Sequence, residues 1–207
     1  MAEFHDRRTE INAPVMTFPD QVRAHVERCY AKARIILEYG SGGSTVLAAG
    51  QPGKFIQSVE SDFDWAMNMR SHLDEIGAAS PVVIYPIDIG PVGMWGRPID
   101  GSNWQKFQRY PNDIWDQPFF RHPDLVLIDG RFRPACFATV CIRITRPVRL
   151  LFDDYLDRPE YHGVETLAKP ARMIGRMAEF QLEPRPYAAE EITLAQSFLS
   201  LVKYAPR

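Results

Sequence analysis

No excess of either charge, no cysteine-pairing pattern and no long apolar run mark this 207-residue chain. Lysine and arginine total 24 against 26 aspartate and glutamate, for a formal net charge of -2. Such a balance lacks the global electrostatic footprint of a bulk nucleic-acid binder, although Arg131, Arg133, Arg143 and Arg146 form a local basic group. The three cysteines, Cys29, Cys136 and Cys141, cannot all pair with one another. They show neither a C-x-x-C nor a Cys/His zinc spacing, and so read as reduced thiols. The opening MAEFHDRRTE is polar with no apolar signal core, and no stretch approaches the length of a bilayer span. The expectation is a cytoplasmic protein with no membrane partner. Internal repeats and low-complexity linkers are also missing, and 45% hydrophobic with 24% charged residues suits one globular domain over 1–207.

Against this even background one segment stands out, Ile35 to Thr45, reading IILEYGSGGST. Ile35, Ile36 and Leu37 form an aliphatic run of the kind buried on both faces of a parallel sheet, and Glu38 falls where that strand ends. Gly40, Ser41, Gly42 and Gly43 then make a turn in which missing Cβ atoms allow positive φ and close approach of a ligand to the backbone. Ser44 and Thr45 open the following helix, whose N-terminus suits a polar or anionic ligand. A bare strand-to-helix turn is the alternative. Two further absences narrow the ligand. In a dinucleotide fingerprint a third glycine or alanine would stand where this chain has Thr45, which weakens an NAD-dependent oxidoreductase. A phosphate-binding P-loop needs a lysine after the last glycine, and none lies between Lys32 and Lys54.

The spacing predicts a helix over 44–50 and a second strand over 54–61, ending in Glu60. A carboxylate at that tip can accept hydrogen bonds from both vicinal hydroxyls of a ribose, and a solvated strand-end acid is the alternative. A helix over 62–76 follows, capped by Asp62 and carrying Trp65, Met69, His72 and Leu73 as an apolar stripe. A third strand over 81–87 is restricted by Pro86 to an edge, or Pro86 falls in its last turn. Residues 90–122 form a Pro-, Gly- and aromatic-rich insertion with Trp95, Trp104, Phe107, Tyr110, Trp115, Phe119 and Phe120, suited either to a pocket lid for a hydrophobic acceptor or to a covered sheet edge or homodimer interface. Further strands are expected over 124–129 and 148–154, with a helix over 134–144 between them. An N-terminal extension, 1–34, contains a helix over 20–34, and 178–182 with 199–204 are candidates for two closing strands, with a helix the alternative for 199–204. Together these elements predict an α/β fold, a Rossmann-like doubly wound sandwich with ligand at the strand C-termini.

The acid-x-Gly-x-Gly run Glu38-Tyr39-Gly40-Ser41-Gly42 resembles the first motif of class I S-adenosylmethionine-dependent methyltransferases, and the likeness extends from Ile35 to Tyr155. It implies a mostly parallel seven-stranded sheet with a terminal antiparallel hairpin. It also implies S-adenosylmethionine held by Glu38, Gly40, Ser41, Gly42, Glu60, Ser61, Asp88, Ile89 and Asp129, and methyl transfer to a small-molecule acceptor at oxygen. The pair LIDG and LLFDDY resembles later motifs of the family. In its catechol O-methyltransferase-like branch comparable positions bind a divalent metal, which points to Mg²⁺ on Asp129, Asp153 and Asp154. Asp154 departs from the Asn common in that branch, and Arg131 matches its basic residue only loosely. A bound cation would relieve repulsion among the acids and lower the pKa of a hydroxyl acceptor. Asp129, Asp153 and the loop histidine His162 are the catalytic candidates, with His122 the other loop imidazole. A non-catalytic cofactor-binding or interaction protein on the same fold is the competing class.

Overall fold

Five aliphatic runs become parallel strands in the computed structural model, which describes residues 14–206. The polar MAEFHDRRTE segment and the first part of the expected extension lie outside the described residues. The strands are β1 (Ile35–Tyr39), β2 (Phe55–Glu60), β3 (Val82–Pro86), β4 (Leu125–Ile128) and β5 (Val148–Phe152). Nearly every side chain of β1, β2, β4 and β5 is buried, because helices cover both faces of the sheet. β3 is buried only at its centre and lies at the sheet edge, with Pro86 its last residue. The helices are α1 (Asp20–Lys32), α2 (Gly43–Ala49), α3 (Phe63–Glu75), α4 (Arg133–Arg143) and α5 (Ala189–Ser197). Asp62 caps α3 as expected, its carboxylate accepting from Trp65 N at 3.0 Å.

With β6 (Arg172–Ile174) and β7 (Met177–Leu182), the seven strands run in the order β3-β2-β1-β4-β5-β7-β6. β7 is antiparallel to both β5 and β6, which makes the terminal hairpin. Its composition corrects the expectation from sequence. Residues 178–182 do belong to it, but their hairpin partner is Arg172–Ile174, not 199–204. The two-residue connection Gly175-Arg176 brings β6 against β7 locally, while Phe198, Leu199 and Val202 pack against the core. The chain order reverses beside β1, whose neighbours are β2 and β4, and this opens a crevice at the strand C-termini.

The aromatic insertion is largely core. Phe107, Tyr110, Ile114 and Trp115, on short helical turns, pack with Tyr39 and Phe132. Only part of it reaches outward, with Trp95 and Trp104 exposed. On the other face α1 packs Val22, Val26 and Tyr30 against Ile36, Leu125 and Leu127. All three cysteines are unpaired and buried. Among the described residues no helix is long and apolar enough to cross a membrane.

Phe152 ends β5 with its ring against Phe137, Tyr155 and Tyr161, at centroid distances of 6.1, 5.3 and 5.4 Å. Phe152→Ala leaves a cavity where three rings meet and is expected to cost about 3–5 kcal/mol, read as a lower urea midpoint, with Phe152→Leu costing less.

Candidate functional site

At the reversal point lies a cavity of about 440 Å³. Gly40 to Ser44 form its floor, Glu60 to Asp62 with Trp65 one wall, and Asp129 to Arg131 with Tyr110 the other. Two segments cover it, Pro14–Phe18 and Trp95–Gly96. The glycines of the turn serve different purposes. Gly40 has φ +106, and a Cβ there would lie 2.8 Å from Gly130 Cα, so the ends of β1 and β4 meet only because both residues lack side chains. At Gly43 a Cβ would fall 2.2 Å from Met16 N, so this glycine lets the 14–18 segment cross the start of α2. A Cβ on Gly42 would meet nothing within 4 Å. That open face belongs to the cavity.

Glu60 and Glu38, paired in the expectation, separate in the structure. Glu60 lines the cavity with its carboxylate held by backbone amides, Oε1 accepting from Ser61 at 2.7 Å and Asp62 at 2.9 Å, and Oε2 from Ser41 at 3.2 Å. Burial raises its pKa despite those bonds. Glu38 does not line the cavity. It is fully buried beneath the turn and accepts from Tyr30 Oη at 2.6 Å and Thr45 Oγ1 at 2.5 Å, and burial raises its pKa as well. Thr45 Oγ1 in turn accepts from Gly42 N at 3.0 Å. Glu38 therefore pins α1 and α2 to β1 and sets the turn from below. Thr45, which takes the place of a third glycine, carries that link. Ser41 and Ser61 line the cavity, with Ser41 O accepting from Trp65 Nε1 at 2.9 Å.

Asp88 and Ile89 lie elsewhere than expected. β3 stops at Pro86, and Asp88 turns outward to an ion pair with Lys106 at 2.7 Å, which lowers its pKa, while Ile89 is buried in the core. Neither lines the cavity. His162 stacks on Tyr155 at 4.7 Å with Nε2 3.0 Å from the Tyr155 carbonyl, and it too lies off the cavity wall. His122 precedes β4 and accepts from Thr145 N at 2.9 Å, at the end of the sheet opposite the crevice.

Asp129, Asp153 and Asp154 do converge, with carboxylate oxygens within 4.8 Å of one another. Each is already paired with arginine. Arg176 holds both oxygens of the fully buried Asp153 at 3.0 and 2.7 Å. Asp154 pairs with Arg158 at 2.6 Å, Arg133 at 3.1 Å and Arg176 at 3.1 Å, and Asp129 with Arg133 at 3.0 Å. A divalent ion would add charge beside three fixed guanidiniums and compete for lone pairs in use, so these residues do not fit Mg²⁺. Asp153, sealed behind Arg176, has no catalytic access either. Asp129 alone of the three lines the cavity, with a third of its side chain exposed. Burial and the charges of Asp153 and Asp154 outweigh Arg133 and push its pKa from 3.8 up to about 7.

Residues 14–18 and Gly96 line the cavity although nothing in the sequence pattern singled them out. Gly43 was the available signal for the first of these, being one glycine more than a ligand turn needs. Asp129 and Arg133, four residues apart, were the signal for the ion pair.

No family model matches the chain, and no curated protein matches it. Among solved structures, a methyltransferase-like protein from Silicibacter pomeroyi DSS-3 is 43% identical over 90% of this chain and 97% of that one, with a TM-score of 0.85. An O-methyltransferase from Streptomyces achromogenes, involved in tomaymycin synthesis and solved with S-adenosylmethionine, is 17% identical over 80% of this chain and 79% of its own, with a TM-score of 0.50. A hypothetical protein from Thermus thermophilus is 16% identical over 83% of this chain and 91% of its own, also at 0.50. At these identities the last two speak for the fold alone.

An acid whose folded pKa stands above its unfolded value holds its proton more firmly when folded. Asp129 therefore makes stability fall as pH rises from 3.8 to about 7, with no further change above. Denaturation midpoints measured across that window are expected to fall less steeply for Asp129→Asn than for the parent.

Proposed function

The chain belongs to the class I S-adenosylmethionine-dependent methyltransferase superfamily, and on that premise we propose that it binds S-adenosylmethionine in the 440 Å³ cavity and methylates a small molecule at oxygen without a metal. The observation that carries this reading is that Glu60 and Asp129 line one cavity on opposite sides of the glycine turn. The volume falls in the range of small-molecule sites, and Gly42 leaves its floor open to a ligand.

When bound, S-adenosylmethionine supplies a methyl group already activated by its sulfonium. Glu60 keeps acceptor capacity on Oε2, which takes only the Ser41 amide, and so can receive ribose hydroxyls. The floor at Gly40–Gly42 admits a ligand close to the backbone, and Pro14–Phe18 with Trp95 exclude water from above. Asp129, with its pKa near 7, takes the acceptor hydroxyl's proton and leaves the oxygen the lone pair that transfer requires. Arg133 steadies the carboxylate on which that proton arrives.

Isothermal titration with S-adenosylmethionine and S-adenosylhomocysteine is expected to show binding of both, weakened about tenfold or more by Glu60→Ala. Binding of neither at millimolar concentration would overturn the reading. In a screen of phenols and alcohols read by S-adenosylhomocysteine release, turnover should rise with pH through about 7. Asp129→Asn should lower kcat by about 10²-fold or more while leaving S-adenosylhomocysteine affinity in place. Saturating chelator should leave turnover unchanged, and a loss restored by Mg²⁺ would reinstate the metal.

A further inference from the structure

Most of the arginines around the cavity are consumed. Arg133, Arg158 and Arg176 are paired with Asp129, Asp153 and Asp154, and Lys203 nearby is paired with Glu160 at 2.6 Å. Arg131 is different. It lies two residues past Asp129 on the same wall, and lines both the main cavity and a small adjoining hollow bounded by Pro98, Tyr161 and Val202. Among the described residues its guanidinium has neither an ion pair nor a hydrogen bond, whereas its backbone N–H donates to Tyr110 Oη at 3.3 Å.

A second such arginine stands beside it. Arg97 itself lines neither space, but its chain neighbours do, Gly96 the main cavity and Pro98 the hollow. Its Nε is buried with no hydrogen-bond partner among the described residues. Arg97 and Arg133 are close enough to Arg131 to add to the burial that lowers its pKa. The buried Arg97 Nε is unfavourable without an acceptor, and the like charges of Arg97 and Arg133 on the half-buried Arg131 are only partly offset by Asp129. The missing partner is an anion, and the planar fork of arginine matches carboxylate and phosphate oxygens.

We propose that the methyl acceptor carries an anionic group, a carboxylate or a phosphate, bound by Arg131 and Arg97 beside Asp129. The inference rests on the methyltransferase reading for the word acceptor, but the anion site itself does not. The acid group of the acceptor is fixed at Arg131, and its reacting hydroxyl meets Asp129, two residues earlier along the same turn.

Protein saturated with S-adenosylhomocysteine is titrated calorimetrically with benzoate, phenyl phosphate and, as the neutral control, benzyl alcohol. One of the anions is expected to bind at least about tenfold more tightly than the alcohol, and to weaken as salt is raised. Preference between the two anions identifies carboxylate or phosphate. Arg131→Gln and Arg97→Gln should each weaken the anion about tenfold while holding S-adenosylhomocysteine affinity within about twofold, and Arg131→Lys should recover part of the loss. Equal binding of benzyl alcohol overturns the proposal. So does an Arg131→Gln variant that loses the same factor for S-adenosylhomocysteine, which assigns the guanidinium to the donor. If the parent protein binds no S-adenosylhomocysteine, the cofactor reading fails. The same anion titration on the free protein then still decides whether Arg131 and Arg97 form an anion site.

Discussion

One buried guanidinium ties together the strand ends on which the site is built. Arg133 opens α4 and directs all of its N–H donors back toward β4 and β5, to the carbonyls of Gly130, Asp129 and Asp153 and the carboxylates of Asp129 and Asp154. A cation at a helix N-terminus opposes the helix dipole. It is tolerated here because two carboxylates and three carbonyls surround it. The sharp turn from Gly130 to Phe132, whose φ is +49, brings α4 back over the strand it follows. Without that turn the fork could not reach both strand ends, and the wall carrying Asp129 and Arg131 would not face Gly40.

The same arrangement decides the chemistry open to the acids. Three carboxylates gathered at strand ends look like a cation site until the guanidiniums are placed. Arg176, on the β6–β7 connection, then accounts for Asp153, and Arg158, from the loop after β5, for Asp154. What remains is one carboxylate with an open face, held between the charges of its neighbours and a single arginine. That balance raises its pKa to about 7, above an ordinary carboxylate.

The βαβ alternation was legible because both-face burial writes nearly unbroken aliphatic runs, and the five parallel strands fall where those runs lie. That Glu60 ends the second strand, at the crevice, was legible for a related reason, as the acid at the tip of the second run. Glu38 was misread because a strand-end acid looks the same in sequence whether it faces a ligand or the underside of a turn. Only Tyr30 and Thr45, converging on it from two helices, decide the matter. The closing hairpin was misassigned because a three-residue strand such as Arg172–Ile174 carries too little pattern to outweigh a longer apolar stretch. The partners of Asp153 and Asp154 were hidden for the same reason that most of the cavity cover was: they come from distant segments, and nothing local marks which arginine will arrive beside which acid.

The Asp–Arg lattice also bears on how this chain can change over generations. Arg176 cannot drift singly, since its loss strands the charge of the fully buried Asp153. These positions are therefore expected to be inherited as a linked set. A descendant lineage that lost this arginine would have to pass through a weakened intermediate or replace the aspartate at the same time, whereas Arg131, whose guanidinium has no partner among the described residues, is free to vary as fast as the molecules it meets.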